Sequence, residues 1–261
     1  MSRRPAVDAL RRAVRGARAW VSVPGALPGF LVIGAQRCGT TSLHSYLAAH
    51  PQVRAATGKE LQYFSLHYGR GERWYRGHFP PPAPGVVSFE ASPLYIFHPD
   101  APSRVAATLP SGRFVALLRD PVERAWSHYL HTRSYGHEPL DFASALAAEE
   151  SRLSSPDGFR RYSYAARGRY AEQLARWFAH VPRERVHVVR SEDLYADPGA
   201  VYAGVLEFLG LEPFTPAEFG VHTRRVDRSA PRSDVERGLR GYFAPHNERL
   251  AELLGWRETW P

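Results

Sequence analysis

The stretch FLVIGAQRCGTTSLHSYL, residues 30–47, constrains this chain more than any other. An apolar run meets a glycine-bounded turn, and a helical pattern follows. From Gly34 to Thr41 the turn fits the phosphate-loop pattern G-x-x-x-x-G-K-[ST], except that Thr40 stands where the lysine belongs. Gly34 and Gly39 let the backbone curl until successive N–H groups point inward. A helix opening at Thr40 or Thr41 then aims its positive end at the same spot. Thr40, Thr41 and Ser42 add hydroxyl donors, and Arg37 adds a full charge. A magnesium triphosphate also needs a strand-end carboxylate for the metal. The one on offer, Asp120, lies between Arg119 and Pro121, a setting that suits an anion better than a cation. The turn reads as an anion loop that works without magnesium, and no metal site is expected.

The surrounding pattern is α/β. Candidate strands are 30–33, 53–55, 86–89, 114–118 and 186–189, and helical patterns alternate with them, as parallel βαβ units require. Candidate helices cover 41–49, 103–109, 122–129, 142–150, 170–179 and 200–209, with one or two more over 233–254. Residues 80–84, PPPAP, read as a stiff connection, and 151–164 as a mobile loop. With 261 residues and 44% hydrophobic content the chain can bury one large core. The expected organisation is a basic N-terminal arm over 1–27 and one domain over 28–261.

Composition narrows the ligand. The net charge is +8, from 34 basic and 26 acidic residues, which suits anionic ligands. Nearly all of the basic residues are arginines. Lys59 is the only lysine, and a lysine that persists in so arginine-rich a chain is informative. One cysteine, Cys38, leaves no internal disulfide and fits a reducing cytosol. No run of about 18 apolar residues is present, so no membrane span is expected.

Six segments, in order along the chain, resemble the sulfotransferases that use 3′-phosphoadenosine 5′-phosphosulfate (PAPS). The pattern is similar to that of the heparan sulfate N- and 3-O-sulfotransferases and their bacterial relatives. IGAQRCGTTSL resembles the 5′-phosphosulfate loop, and residues 114–129, FVALLRDPVERAWSHY, the 3′-phosphate motif. KELQYF at 59–64, FEASPLY at 89–95, SEDL at 191–194 and YFAPHNERL at 242–250 extend the match. The resemblance implies a P-loop-NTPase-like three-layer α/β/α fold around a mostly parallel sheet of about five strands.

It also implies site roles. Arg37, Cys38, Gly39, Thr40, Thr41 and Ser42 would hold the 5′ end of the donor. Arg119 and Ser127 would converge on its 3′-phosphate, with Arg225 and Arg228 contributing from an arginine-rich covering loop. Arg37 stands where the heparan enzymes often carry lysine. It and Lys59 would face the bridging and sulfuryl oxygens, and Glu90, ending a strand, would be the general base. His44, His98, His128 and His131 are rival bases. Trp74, Tyr75, Tyr135, Tyr162 and Tyr164 suggest an aromatic-lined cleft for a small-molecule, natural-product or glycan acceptor. The alternative is a kinase using ATP and magnesium. A nucleic-acid partner is not expected, because the basic residues gather at strand ends and not along an aromatic stripe.

Overall fold

A computed structural model describes residues 25–220 and 230–260. Most of the N-terminal arm therefore lies outside the described residues, as do Arg225 and Arg228. Five strands form one sheet: β1 (Phe30–Gly34), β2 (Val53–Ala55), β3 (Val87–Ala91), β4 (Arg113–Leu118) and β5 (Val186–Arg190). Their order is β2-β3-β1-β4-β5, and every pairing is parallel. The five expected strands are all present, within two residues of the expected ends.

The strand order decides where a ligand can sit. From β1 the chain crosses to one edge, and from β4 it crosses to the other. Right-handed crossovers in opposite directions put their helices on opposite faces of the sheet, which gives the expected three layers. Between β1 and β4 the connections diverge, and a crevice opens beyond their carboxyl ends. The loop after β1 and the residues after β4 share that crevice.

Helix α1 (Thr40–Ala49) follows β1, α2 covers Gly71–Arg76, α3 covers Ala101–Thr108, and α4 (Pro121–Ser134) follows β4. Asp120 caps α4: its carboxylate accepts from the N–H groups of Val122 and Glu123, while Pro121 occupies the first turn. Arg240 approaches the same carboxylate at 3.3 Å. The side chain that a nucleoside-triphosphate enzyme would turn to its metal is here a helix cap.

Residues 151–164 depart from the expected loop. Helix α5 (Phe142–Ala147) is followed by α6 (Glu149–Leu153) and α7 (Pro156–Arg161). Ser155 caps the Gly158 N–H and Pro156 opens the turn, a start signal too short to show as hydrophobic periodicity. Phe159 then stacks on Phe97 with ring centroids 4.6 Å apart. After α8 (Tyr170–Phe178) come α9 (Ser191–Ala196), α10 (Pro198–Leu209) and α11 (Ser233–Leu254), which runs unbroken through Pro245.

The core has two parts. The larger encloses the sheet, and all five residues of β1 are buried in it. The smaller packs α4 against α5, Tyr164 and α11 through Trp126, Phe142 and Phe243. Gly168 lies where α11 meets the start of α4. A Cβ there would sit 2.6 Å from the Phe243 ring and 2.9 Å from Pro121 Cβ. Gly168→Ala should therefore destabilise the fold by about 1–3 kcal/mol, the usual range for an overpacked core. Denaturant unfolding measures this directly.

Candidate active site

Loop 34–40 leaves β1 and doubles back through two residues of positive φ, Arg37 at 71° and Gly39 at 87°. At Gly39 the need for glycine is steric as well. A Cβ would lie 3.0 Å from the Tyr195 phenol oxygen and 3.3 Å from Leu194. The loop is clamped from below, because Ser191 Oγ donates to the Cys38 carbonyl at 2.6 Å. The Cys38 thiol points into the core and is pushed up to about 11 by burial, so it stays protonated. Its N–H is turned back onto the Ala35 carbonyl at 3.3 Å. Helix α1 starts at Thr40 with no side-chain cap and no acidic residue in its first turn. Its N-terminal dipole is thus uncompensated by the protein. Thr40 and Ser42 are buried at this end, and Thr41 accepts a hydrogen bond from Lys59 Nζ at 2.5 Å.

Two guanidinium groups near this loop, those of Arg37 and Arg119, lie close enough for their charges to oppose each other. Arg37 Nε donates to Ser127 Oγ at 3.1 Å. Burial lowers the pKa of Arg37, and the positive charge of Arg119 lowers it further. No described carboxylate lies within salt-bridge distance of Arg37. Arg119 reaches Glu123 at 3.0 Å across one turn of α4, a part-exposed pair of small worth. Ser127 is therefore engaged by Arg37, while Arg119 is engaged by Glu123. Tyr195 completes the group: its phenol interacts with Ser42 and with both arginines. Sequence reading passed over Tyr195, because nothing local links it to a loop 156 positions earlier.

Beside this anion nest opens a cleft of about 890 Å³. Lys59, Glu60, His128, Arg70 and Arg167 line it, with Trp74 on one wall. Lys59 Nζ stands 3.9 Å from Glu60 Oε1, and burial lowers the lysine pKa. Glu60 is solvent-exposed and adopts φ 58°. Arg167, 4% exposed, donates to Gln36 Oε1 and so joins the cleft wall to the anion loop.

Glu90 does not emerge here. It is 1% exposed, with Oε1 accepting from Tyr75 at 2.8 Å and Tyr95 at 2.7 Å, and Oε2 accepting from Ser92 at 2.8 Å. Burial, and not a neighbouring cation, dominates its environment and raises its pKa. The residue expected as general base is held instead in a cage of hydroxyls. Among the rival histidines, His128 and His131 line the cleft. His44 packs on Phe89 and is lowered to about 4 by burial and by Lys59. His98 is half-buried and accepts from the Asp100 N–H at 3.3 Å. Of the aromatics, Trp74 and Tyr135 face the cleft, whereas Tyr75 and Tyr164 are core residues. Tyr162 is not among the residues that line the cleft, and it donates to the His137 carbonyl.

Comparison with known proteins identifies the family. The sulfotransferase domain profile matches residues 27–225. The chain is 33% identical over 257 residues to human heparan sulfate glucosamine 3-O-sulfotransferase 3B1, across 90% of this chain and 65% of that protein. It is 30% identical over 262 residues to human bifunctional heparan sulfate N-deacetylase/N-sulfotransferase 3, across 87% of this chain. Of that relative's own length the match spans 30%. A sulfotransferase from Alicyclobacillus acidocaldarius superposes with TM-score 0.78 at 30% identity, over 90% of this chain and 98% of that one. These matches do not favour the kinase alternative.

An anion nest of this kind should respond to simple ions. Sulfate or pyrophosphate should raise the melting temperature, by an amount equivalent to about 2.7 kcal/mol at a hundred times the dissociation constant. Arg37→Ala and Arg119→Ala should each lose most of that shift, and Arg70→Ala should keep it. Equal shifts in all three variants would place the anion elsewhere.

Proposed function

The chain belongs to the sulfotransferase family, and we propose that it moves a sulfuryl group from PAPS to a hydroxyl or amine of a small-molecule, natural-product or glycan acceptor. One observation carries this reading. Arg37 stands in the loop that opens an uncapped helix, within electrostatic reach of Arg119, and a cleft that contains Lys59 and Glu60 opens beside it. Like charges are kept close at a cost that a bound anion offsets.

The residues present suit the two anionic ends of the donor. The start of α1 with Arg37, Thr40, Thr41 and Ser42 suits the phosphosulfate, and Arg119 with Ser127 suits the 3′-phosphate. Arg225 and Arg228 are proposed to contribute from the segment outside the described residues. When bound, the donor supplies a sulfuryl group already activated on a phosphate. The protein's task is then positioning and charge stabilisation. Arg37 and Lys59 face the charge that develops on the oxygens around sulfur. The lowered pKa of Lys59 makes its ammonium a readier proton donor to the departing oxygen.

A proton must also leave the acceptor as it is sulfated. Glu90, the base that the resemblance implies, is enclosed by three hydroxyls. Glu60 is the exposed carboxylate of the cleft, and we assign the proton to it. Family glycan chemistry and the cleft's basic lining both fit an acceptor that is itself polar or anionic.

The decisive experiment incubates the protein with sulfur-35-labelled PAPS and a panel of glycan, phenol and amine acceptors. Transfer should occur and should persist in EDTA. Glu60→Gln should lower turnover by about 10²–10⁴, with binding of the product nucleotide, 3′-phosphoadenosine 5′-phosphate, within a few-fold of wild type. Arg119→Ala should weaken that nucleotide by about 1.5–3 kcal/mol, the range for hydrogen bonds to charged groups. Tighter binding of ATP with magnesium than of the 3′-phosphorylated nucleotide would overturn the reading.

A further inference from the structure

Glu90 has an unusual environment for a carboxylate. It is fully enclosed, no cation pairs with it among the described residues, and three hydroxyl groups converge on it. Two of those hydroxyls have a second partner. Ser92 Oγ, whose only proton goes to Glu90, accepts from the Gln62 N–H at 3.1 Å. Tyr95 Oη, likewise committed to Glu90, accepts from the Phe64 N–H at 3.4 Å. The next residue of β3 takes part as well, since the Ala91 carbonyl accepts from the Glu60 N–H at 3.0 Å.

These three bonds fall on one short segment, residues 60–64, whose backbone needs them. Glu60 and Gln62 both sit in the left-handed region, at φ 58° and 56°, and neither is glycine. Such conformations persist only where the surroundings enforce them. Between them runs the part of the chain that presents Glu60 to the cleft.

The chemistry of Glu90 suits this task better than that of an amide or an apolar residue. In its ionised form the Glu90 carboxylate can only accept. It therefore draws the protons of Ser92 and Tyr95 toward itself and leaves both oxygens turned to the amides of Gln62 and Phe64. A glutamine could offer its NH₂ to one of those oxygens and set the hydroxyl proton against the amide.

We infer that Glu90 is a positioning residue, which holds Glu60 in the cleft by orienting Ser92 and Tyr95 as acceptors for the backbone of residues 60–64. This rests on the assignment of Glu60 as proton acceptor. Glu90 itself touches neither donor nor acceptor.

The test compares Glu90→Gln, Ser92→Ala and Glu60→Gln in the full chain, by amide hydrogen exchange and by turnover with labelled PAPS and the best acceptor of the panel. Exchange at Gln62 and Phe64 should quicken at least tenfold in Glu90→Gln, and at Gln62 in Ser92→Ala, while β1 and β4 amides stay protected. Turnover should fall about tenfold in both variants, with affinity for 3′-phosphoadenosine 5′-phosphate unchanged. The acidic limb of the pH–rate profile should survive in both and vanish in Glu60→Gln. Ser92→Ala keeps the test open should Glu90→Gln not fold. Unchanged exchange at Gln62 in the folded variants overturns the inference, as does loss of the acidic limb in Glu90→Gln, which would make Glu90 the proton acceptor. A wild-type protein inert with every acceptor counts against sulfuryl transfer, and exchange at Gln62 then decides the positioning role alone.

Discussion

The parallel pairing of β1 with β3 on one side and β4 on the other is the constraint on which the site depends. Leu31 lies opposite Glu90 and opposite Phe114, and the pairing brings the ends of all three strands to one edge. The anion loop, the hydroxyl cage around Glu90, and Arg119 with its following helix all hang from that edge. None of them could be shifted by a residue without turning its side chains to the other face of the sheet.

Around that edge, charge is distributed unevenly. Carboxylates near the anion loop have structural duties: Asp120 caps α4, and Glu192 accepts from the Asp120 N–H at 2.9 Å. The arginines that face the loop are left with hydroxyls, a backbone and one partly exposed glutamate. A local excess of positive charge costs little at the surface and more where Arg37 is half-buried. A bound anion would offset that cost at Arg37.

Much of this was legible in the sequence, because it is written locally. The G-x-x-x-x-G spacing, the apolar run before it and the helix after it lie within 18 residues, and the strand ends were within two residues of their observed places. The reading failed where partners arrive from far along the chain. Glu90 stands at the end of its strand as expected, but Tyr75, from a short helix with no periodic signal, closes over it. Glu60 carried a usable sign in its position next to the only lysine. Its left-handed backbone was not foreseeable, since no glycine marks it. Tyr195 and Arg167 join the site only through the fold. The helices within 151–164 were hidden because a serine–proline start and a few contacts suffice for so short an element.

The hydrogen bond between Lys59 and Thr41 has a practical side. In a chain of 261 residues, the only ε-amino group lines the cleft, with a pKa that burial has lowered. Amine-selective reagents react through the unprotonated form, so this protein carries a built-in address for chemical modification. A fluorophore, a crosslinker or a solid support delivered as a mild acylating ester has one side-chain amine to find. Where it attaches, it reports on the traffic through the site.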